Sequence, residues 1–197
     1  MKKLFVFAII AIFSFSYINA QEVHFGAKAG VSFANLTGDV EGLNMRTGLH
    51  VGGVVEIPIS DKFSFQPELL YSMQGAKEKD SYEGETYEAT LKVDYLNVPL
   101  MAKFYVAEGF SIEAGPQVGF LLSAKAKAEV GGSSGEEDIK DYFKGIDFGA
   151  NLGFGYKMEN GLNFGARYNL GLANIADSDD GDVKNGVFQI SVGYFFN

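Results

Sequence analysis

Few side chains in this sequence are suited to catalysis or to holding a metal. The chain has two histidines, His24 and His50, and no cysteine, which excludes a thiol nucleophile and a zinc site of the usual Cys/His kind. An enzyme that modifies lipid would need a serine or histidine on its apolar face, with an acid beside it. Apolar and polar residues alternate along much of the chain, and this alternation places both histidines on the polar face of their predicted strands. The sequence therefore predicts a protein that is not an enzyme, with no catalytic, cofactor-binding or metal-binding residue.

The charged residues of the predicted strands show a clearer pattern. Six of them, three of each sign, lie at similar distances from the strand ends and on the face that carries most of the glycines. They are Lys28, Glu56, Glu68, Lys103, Glu113 and Arg167. Buried charges without partners each cost several kcal/mol, so we expect these six to form a structural network of ion pairs. The alternative interpretation is a cation relay or a selective pore.

The acidic segment 177–182 resembles a calcium-binding loop in composition. It lacks the complete spacing of an EF-hand and the glutamate that ends one. The segment is more typical of a solvated acidic loop.

Strict alternation of apolar and polar residues defines the elements that carry the charges. In segment 145–158 every even position is apolar, from Ile146 to Met158, whereas the odd positions are glycine, aspartate, asparagine or lysine. A period of two is typical of a β-strand with two different faces. The pattern recurs along the chain and predicts an all-β protein of eight antiparallel strands. In the fourth strand the apolar positions change from odd to even, which predicts a β-bulge near Tyr95 and Leu96.

The connections between the predicted strands alternate in length. Long polar segments cover residues 35–45, 75–90, 129–144 and 174–185, and tight turns cover residues 60–62, 107–109 and 159–161. This rhythm is typical of an up-and-down barrel in a bacterial outer membrane, with long loops outside the cell and short turns in the periplasm. Both chain termini are then periplasmic.

A soluble eight-stranded barrel of the lipocalin type would have the same strand count. Its interior would hold the large apolar side chains, and its charged face would meet water. An eight-stranded barrel has a narrow bore, and here the glycines share the polar face while Phe, Tyr and Leu crowd the other. The predicted fold is therefore an eight-stranded antiparallel up-and-down transmembrane β-barrel. A soluble lipocalin-like ligand-binding barrel is the distant alternative.

The first 20 residues have the features of a secretory signal. Lys2 and Lys3 precede an apolar run that extends to Ile18, and Ala20 is followed by polar residues. We predict a signal peptide over residues 1–20 and an outer-membrane β-barrel domain over residues 21–197. A retained membrane anchor is the alternative, although the run is short for a spanning helix.

Four sequence motifs resemble a known family. They are HFGAKAGVS at 24–32, FQPELLY at 65–71, YLNVPL at 95–100 and GYFF at 193–196. These segments resemble the outer-membrane β-barrel domain family that includes PorT-like proteins, which are small eight-stranded proteins of Gram-negative bacteria. The resemblance implies a barrel without an assigned activity, whose named relatives assist secretion machinery. It also implies a closing strand that the barrel-assembly machinery recognises.

The formal net charge of −9 is concentrated in the predicted long loops. Acidic loops repel polyanions, so nucleic acid is not an expected partner. Two functions remain open. The first is a non-enzymatic structural or interaction role in the cell envelope, through the acidic loops or the periplasmic rim; the second is a narrow pore for ions or small solutes. The expected partners are outer-membrane lipid, the barrel-assembly machinery during biogenesis and an envelope protein of unknown identity.

Overall fold

The computed structural model describes residues 23–40, 42–82, 85–130, 133–178 and 181–196. These residues form nine β-strands and one short 3-10 helix at Lys140–Tyr142. The strands are β1 His24–Gly38, β2 Asn44–Ser60, β3 Phe63–Tyr82, β4 Glu85–Ala107, β5 Phe110–Val130, β6 Ser133–Asp138, β7 Ile146–Lys157, β8 Leu162–Gly171 and β9 Val183–Phe195. The predicted signal peptide lies outside the described residues.

Eight of the strands close into a barrel. Neighbouring strands are antiparallel throughout, β1 pairs with β9, and the pairing of β4 with β5 completes the ring. The ninth strand, β6, pairs with β5 alone and lies outside the ring. The predicted eight-stranded antiparallel up-and-down barrel is confirmed.

The two faces of the barrel wall differ as the alternation predicts. Large apolar side chains point outward and are exposed, and each of the eight strands contributes at least one. Examples are Phe25, Val51, Leu69, Leu100, Ile112, Phe154, Leu170 and Ile190. Polar and charged side chains point into the lumen and are buried. Examples are Lys28, His50, Glu68, Asn97, Gln117, Asn151, Arg167 and Gln189. This is the opposite of a soluble ligand-binding barrel, whose greasy face lines the interior.

Three tight turns close one end of the barrel, which we call the turn end. They join β2 to β3, β4 to β5 and β7 to β8, at the predicted positions. Gly109 and Gly161 have φ angles of 71° and 86°. A side chain is strained in this left-handed region, so glycine is the residue that these two turns require.

At the opposite end, two of the predicted loops are strands instead. β3 and β4 stay paired from Gly75 and Lys92 to Tyr82 and Glu85, and β5 continues outward to pair with β6. We call the described residues of 75–93 and 124–138 the projecting arm, and this end of the barrel the arm end. The loop prediction for 75–90 and for the start of 129–144 is wrong, because alternation continues there with alanine and lysine in place of large apolar residues.

The predicted β-bulge occurs at the level of Tyr95, but its extra residue lies on β5 and not on the fourth strand. Val93 and Tyr95 are fully buried and point into the lumen, as Asn97 and Met101 do, so β4 keeps a single inward face. The irregularity lies on the neighbouring strand, where Asp94 is opposite Ser123 and Tyr95 is opposite Leu121, which leaves Leu122 as the extra residue. The apolar residues of β4 change from odd to even positions because the lumen itself becomes apolar towards the arm end, where inward-facing residues such as Val93 and Tyr95 are also apolar.

Candidate functional site

Glu68 lies at the centre of an ion-pair network in the lumen. Arg167 donates two hydrogen bonds to its carboxylate, from Nη1 to Oε2 at 2.9 Å and from Nη2 to Oε1 at 2.8 Å. Lys28 Nζ donates to the same Oε1 at 2.7 Å. β1, β3 and β8 supply these three side chains, so the cluster ties together strands that are not all neighbours in the ring. Two cations therefore neutralise one fully buried carboxylate.

The network continues from Arg167 across the barrel. Arg167 Nη2 lies 3.5 Å from Glu113 Oε2, and Lys103 Nζ lies 3.4 Å from Glu113 Oε1. Lys103 also lies 3.9 Å from Glu56 Oε2. The structure thus brings the six charged residues singled out in the sequence into one connected set.

Two further members of the network were missed in the sequence. Lys157 Nζ lies 3.0 Å from Glu56 Oε2, and the Tyr105 hydroxyl donates to Glu56 Oε1 at 2.5 Å. Both residues lie near the turn end, and the alternation of β4 and β7 places them on the inward face. Lys157 was missed because its long side chain reaches back into the lumen from the last residue of its strand.

The network fills the bore at its level. All three carboxylates have at least two cationic partners, and each of the network's carboxylates is buried. Removal of one partner from a buried pair leaves an uncompensated charge in a medium of low dielectric constant, which is strongly destabilising. The arrangement can brace the barrel wall from inside.

His50 lies between the network and the arm end. Its ring nitrogens hydrogen bond to the hydroxyls of Ser32 at 3.0 Å and Ser191 at 2.8 Å. Neither nitrogen contacts a carboxylate in the described structure, and the ring is buried away from the lipid-facing surface. His24, at the turn end, has its ring centroid 6.1 Å from that of Phe195. These contacts give His50 a structural place in the polar interior.

An apolar lid closes the lumen at the arm end. Val93, Tyr95, Leu121 and Ala124 form one buried cluster, and Leu36, Ala76 and Ile175 form another. Phe143 packs against both clusters, and its backbone forms a bridge with Ala176. Phe143 and Ile175 belong to segments that composition predicts to be polar loops. Their isolated apolar side chains were the available signal.

The two faces of the projecting arm differ in chemistry. The face continuous with the outside of the barrel carries ion pairs, with Lys77 Nζ 2.7 Å from Glu88 and Glu136 between Lys92 at 2.5 Å and Lys125 at 2.8 Å. The hydrogen bonds from Lys125 and Lys92 lower the pKa of Glu136 to about 2.

The other face forms an open groove of about 480 Å³. Small apolar residues dominate the side chains that face it. They are Leu43, Ala76, Ala89, Leu91, Ala126, Ala128 and Gly135. Glu78 and Glu137 add negative charge at its sides. In the described residues neither of these two carboxylates has a cation within ion-pair distance.

Strand β6 borders this groove and has one unpaired edge. All six of its residues are exposed. Backbone N–H and C=O groups on a free edge are ready to pair with another strand. The edge is therefore a second chemical feature of the groove.

Among the described residues there is no cluster of three or more His, Cys, Asp or Glu that is suited to a metal ion. In the acidic segment 177–182, Asp182 donates its backbone N–H to Asp39 Oδ2 at 2.8 Å, and Asp179 and Asp180 lie outside the described residues. No helix in the described ranges is long and apolar enough to cross a membrane.

A closed ring of eight strands, an exposed apolar belt and a filled polar lumen define a small outer-membrane β-barrel. A family model described as "Outer membrane protein beta-barrel domain" matches residues 19–177, and the chain belongs to this family. Its location is the outer membrane. The narrower PorT-like resemblance stays a prediction.

Solved structures of small outer-membrane proteins are similar to the chain. Ail, the attachment invasion locus protein of Yersinia pestis, is 16% identical with a TM-score of 0.55, and 89% of this chain and 100% of that chain are covered. Neisserial surface protein A (NspA) is 14% identical with a TM-score of 0.57 and the same coverage. At these identities the similarity shows the fold alone. No curated protein matches the chain.

Proposed function

We propose that this chain is a non-enzymatic structural and interaction protein of the cell envelope, which offers its projecting arm to another molecule. One observation carries the proposal. Buried side chains occupy the lumen at two levels, the ion-pair network and the apolar lid, while the arm continues beyond the barrel. A filled lumen leaves the surfaces at the two barrel ends as the sites for function. The surface at the arm end is the larger of these two, because the projecting arm extends it beyond the barrel.

The arm faces the cell exterior in this proposal, and both termini are periplasmic. Outer-membrane barrels place long strands and loops outside and short turns in the periplasm, which supports this orientation. Residues 1–20 serve as the cleaved signal peptide and residues 21–197 form the barrel domain. The exposed apolar outer face of the barrel contacts outer-membrane lipid. The barrel-assembly machinery inserts the barrel into the membrane. A role beside secretion machinery rests on the family resemblance alone.

The partner of the arm adds a strand to the free edge of β6. Addition of a strand supplies main-chain hydrogen bonds, and side chains that point into the groove supply specificity. The groove accepts small or apolar side chains because its floor is mostly alanine. Glu137 and Glu78 favour a partner with basic side chains.

Charge also argues against a second copy of this chain as the partner. Two β6 strands paired edge to edge would gather Glu136, Glu137 and Asp138 of both copies into one six-residue ladder. Like charges opposite one another are unfavourable in a sheet. The expected occupant is therefore an extended basic segment of an envelope protein or of another extracellular protein.

The proposal is tested with two synthetic eight-residue peptides, one with alternating lysine and valine and one with alternating glutamate and valine. Binding to the purified barrel in detergent is measured by fluorescence anisotropy at low ionic strength. We expect the basic peptide to bind and Glu137→Lys to weaken it about tenfold, since one charge reversal is worth about 1.4 kcal/mol at such a site. Glu159→Lys, in a turn at the other end, is the matched control. Equal binding of both peptides, or an unchanged affinity in Glu137→Lys, contradicts the proposal.

The closed lumen is tested separately in planar lipid bilayers. We expect negligible single-channel current from the purified barrel. A current that survives purification and changes in Glu68→Ala or Arg167→Ala would instead support the narrow pore.

A further inference from the structure

A cavity of about 370 Å³ opens at the turn end of the barrel, and we call it the vestibule. Its floor is the outer side of the ion-pair network, where Glu56, Tyr105 and Lys157 line it. The three tight turns form its rim, and each turn contributes one carboxylate. These carboxylates belong to Asp61, Glu108 and Glu159. The vestibule is therefore separate from the arm groove, which lies at the opposite end of the barrel.

Backbone hydrogen bonds hold the three turns of this rim together. The N–H of Tyr105 donates to the carbonyl of Lys62 at 2.8 Å, which joins the first turn to the strand that enters the second. The N–H of Lys157 donates to the carbonyl of Gly109 at 2.8 Å, which joins the second turn to the strand that enters the third. The backbone of the rim is thus ordered before any ligand arrives, and this reduces the entropic cost of binding.

The vestibule has an excess of negative charge. Of its four carboxylates, Glu56 is paired, with Lys157 at 3.0 Å and Lys103 at 3.9 Å. Among the described residues, the three rim carboxylates have no cation within ion-pair distance. Lys157, the cationic side chain that lines the vestibule, is already engaged by Glu56. Three carboxylates without partners around one opening attract a ligand that carries positive charge.

A buried hydroxyl also faces the vestibule. Ser64 is 2% exposed and lines the cavity, yet its side chain makes no hydrogen bond within the described structure. Neighbouring polar groups on the inward face are bonded, since Gln66 Nε2 donates to Glu68 and the Tyr105 hydroxyl donates to Glu56. Buried polar groups in proteins are almost always hydrogen bonded. The Ser64 hydroxyl is therefore available to accept a hydrogen bond from a ligand.

The placement of the carboxylates favours an extended cation over a metal ion. They stand on three different turns, and in the described part of the chain no three acidic or histidine side chains come together in a way that could hold a metal ion. A linear polyamine carries several ammonium groups that are separated by short alkyl segments. Pro58 and Met158 present apolar surface to such segments. We propose that the vestibule binds a linear polyamine, whose ammonium groups meet the rim carboxylates and donate a hydrogen bond to the Ser64 hydroxyl.

The test is a calorimetric titration of the purified barrel in detergent with spermidine at low ionic strength. We expect one spermidine per chain. The double variant Asp61→Asn and Glu108→Gln should weaken binding about tenfold, because two exposed ion pairs with the ligand are lost. The double variant Asp141→Asn and Asp177→Asn is the matched control. It removes the same charge from exposed residues at the arm end and should retain the native affinity.

A second variant tests the vestibule without changing its charge. Ser64→Ala removes the hydroxyl, and we expect spermidine binding to weaken about threefold through the lost hydrogen bond. An unchanged affinity in both Ser64→Ala and the rim double variant would overturn the proposal, as would equal losses in the two double variants.

Two competing cations separate a built site from general attraction to acidic residues. Magnesium chloride should leave most of the spermidine binding that is measured in sodium chloride of the same ionic strength, and complete competition by magnesium would overturn the proposal. N-acetyl-lysine methylamide carries one ammonium group and should bind much more weakly. If it binds as tightly as spermidine, a single ammonium group suffices and the polyamine assignment is wrong. These results are independent of the proposed function, which depends on Glu137 at the other end of the barrel.

Discussion

Two lysine–glutamate pairs in this protein have the same geometry in opposite surroundings. Lys28 and Glu68, in the lumen, approach to 2.7 Å with side chains that are 7% and 0% exposed. Lys77 and Glu88, on the projecting arm, also approach to 2.7 Å, with side chains that are 40% and 30% exposed. The distance between the charged atoms is therefore no guide to what either pair does for stability.

The difference lies in what replaces a lost partner. On the arm, water and salt solvate either charge and the pair contributes little. In the lumen Lys28 and Glu68 are almost completely buried, so a cation that loses its carboxylate remains buried and uncompensated. The lumen pairs are consequently mutually dependent, whereas the arm pairs are independent of one another.

The largest effect is expected from Glu68→Ala. This change leaves Lys28 without its ion-pair partner and Arg167 with only Glu113 at 3.5 Å. We expect a loss of about 3–5 kcal/mol in the free energy of unfolding, measured by urea titration of the barrel in detergent. Glu88→Ala is the matched control on the arm. Similar losses for the two variants would contradict the role of burial.

A second prediction concerns the lid, where apolar packing replaces ion pairs. Ile175 is fully buried, and Ile175→Ala removes side-chain volume beneath Phe143. We expect a loss of about 3 kcal/mol from transfer and cavity terms, measured in the same titration. Ile59→Ala, on the exposed outer face, is the control for a change that creates no cavity. A negligible loss for Ile175→Ala would mean that the lid collapses freely or is not packed.

The barrel and the inward side of each strand could be predicted from the sequence, because a narrow lumen and a lipid belt impose strict alternation. Glu68 and Arg167 were recognisable for the same reason, since charged residues on that face have no solvent to reach. Lys157 was missed because its side chain reaches into the lumen from a strand end.

The lid and the arm could not be predicted because they depend on contacts between distant segments. Ile175 and Phe143 meet through loop geometry, which composition does not encode. Val93 and Tyr95 were assigned to the outer face on the assumption that every large apolar residue faces lipid. Residues 75–90 were assigned to a loop because polar composition outweighed their alternation.

A third and smaller effect sharpens the comparison through a double-mutant cycle on the arm. We expect Lys77→Met, Glu88→Gln and the double variant to unfold at the same urea concentration as the native barrel. Two exposed charges gain little free energy from pairing, because water solvates each of them almost as well when they are apart. The equivalent cycle with Lys28→Met and Glu68→Gln should show a clear coupling energy. Coupling of equal size at the two sites would show that the arm is less solvated than its exposure indicates.

The smallest expected effect concerns the protonation of Glu136, which two arm lysines contact. Hydrogen bonds from Lys125 and Lys92 lower the pKa of this carboxyl to about 2, from an ordinary value of 4.5. A lowered pKa means that the interaction favours the folded arm above the ordinary value and is lost as the pH falls through about 2. We expect Glu136 to stay ionised at about pH 3 in a carboxyl-resolved NMR titration. The double variant Lys92→Met and Lys125→Met should raise the pKa of Glu136 towards its ordinary value without altering the lumen network. An unchanged titration of Glu136 in this variant would show that the two lysines do not lower its pKa.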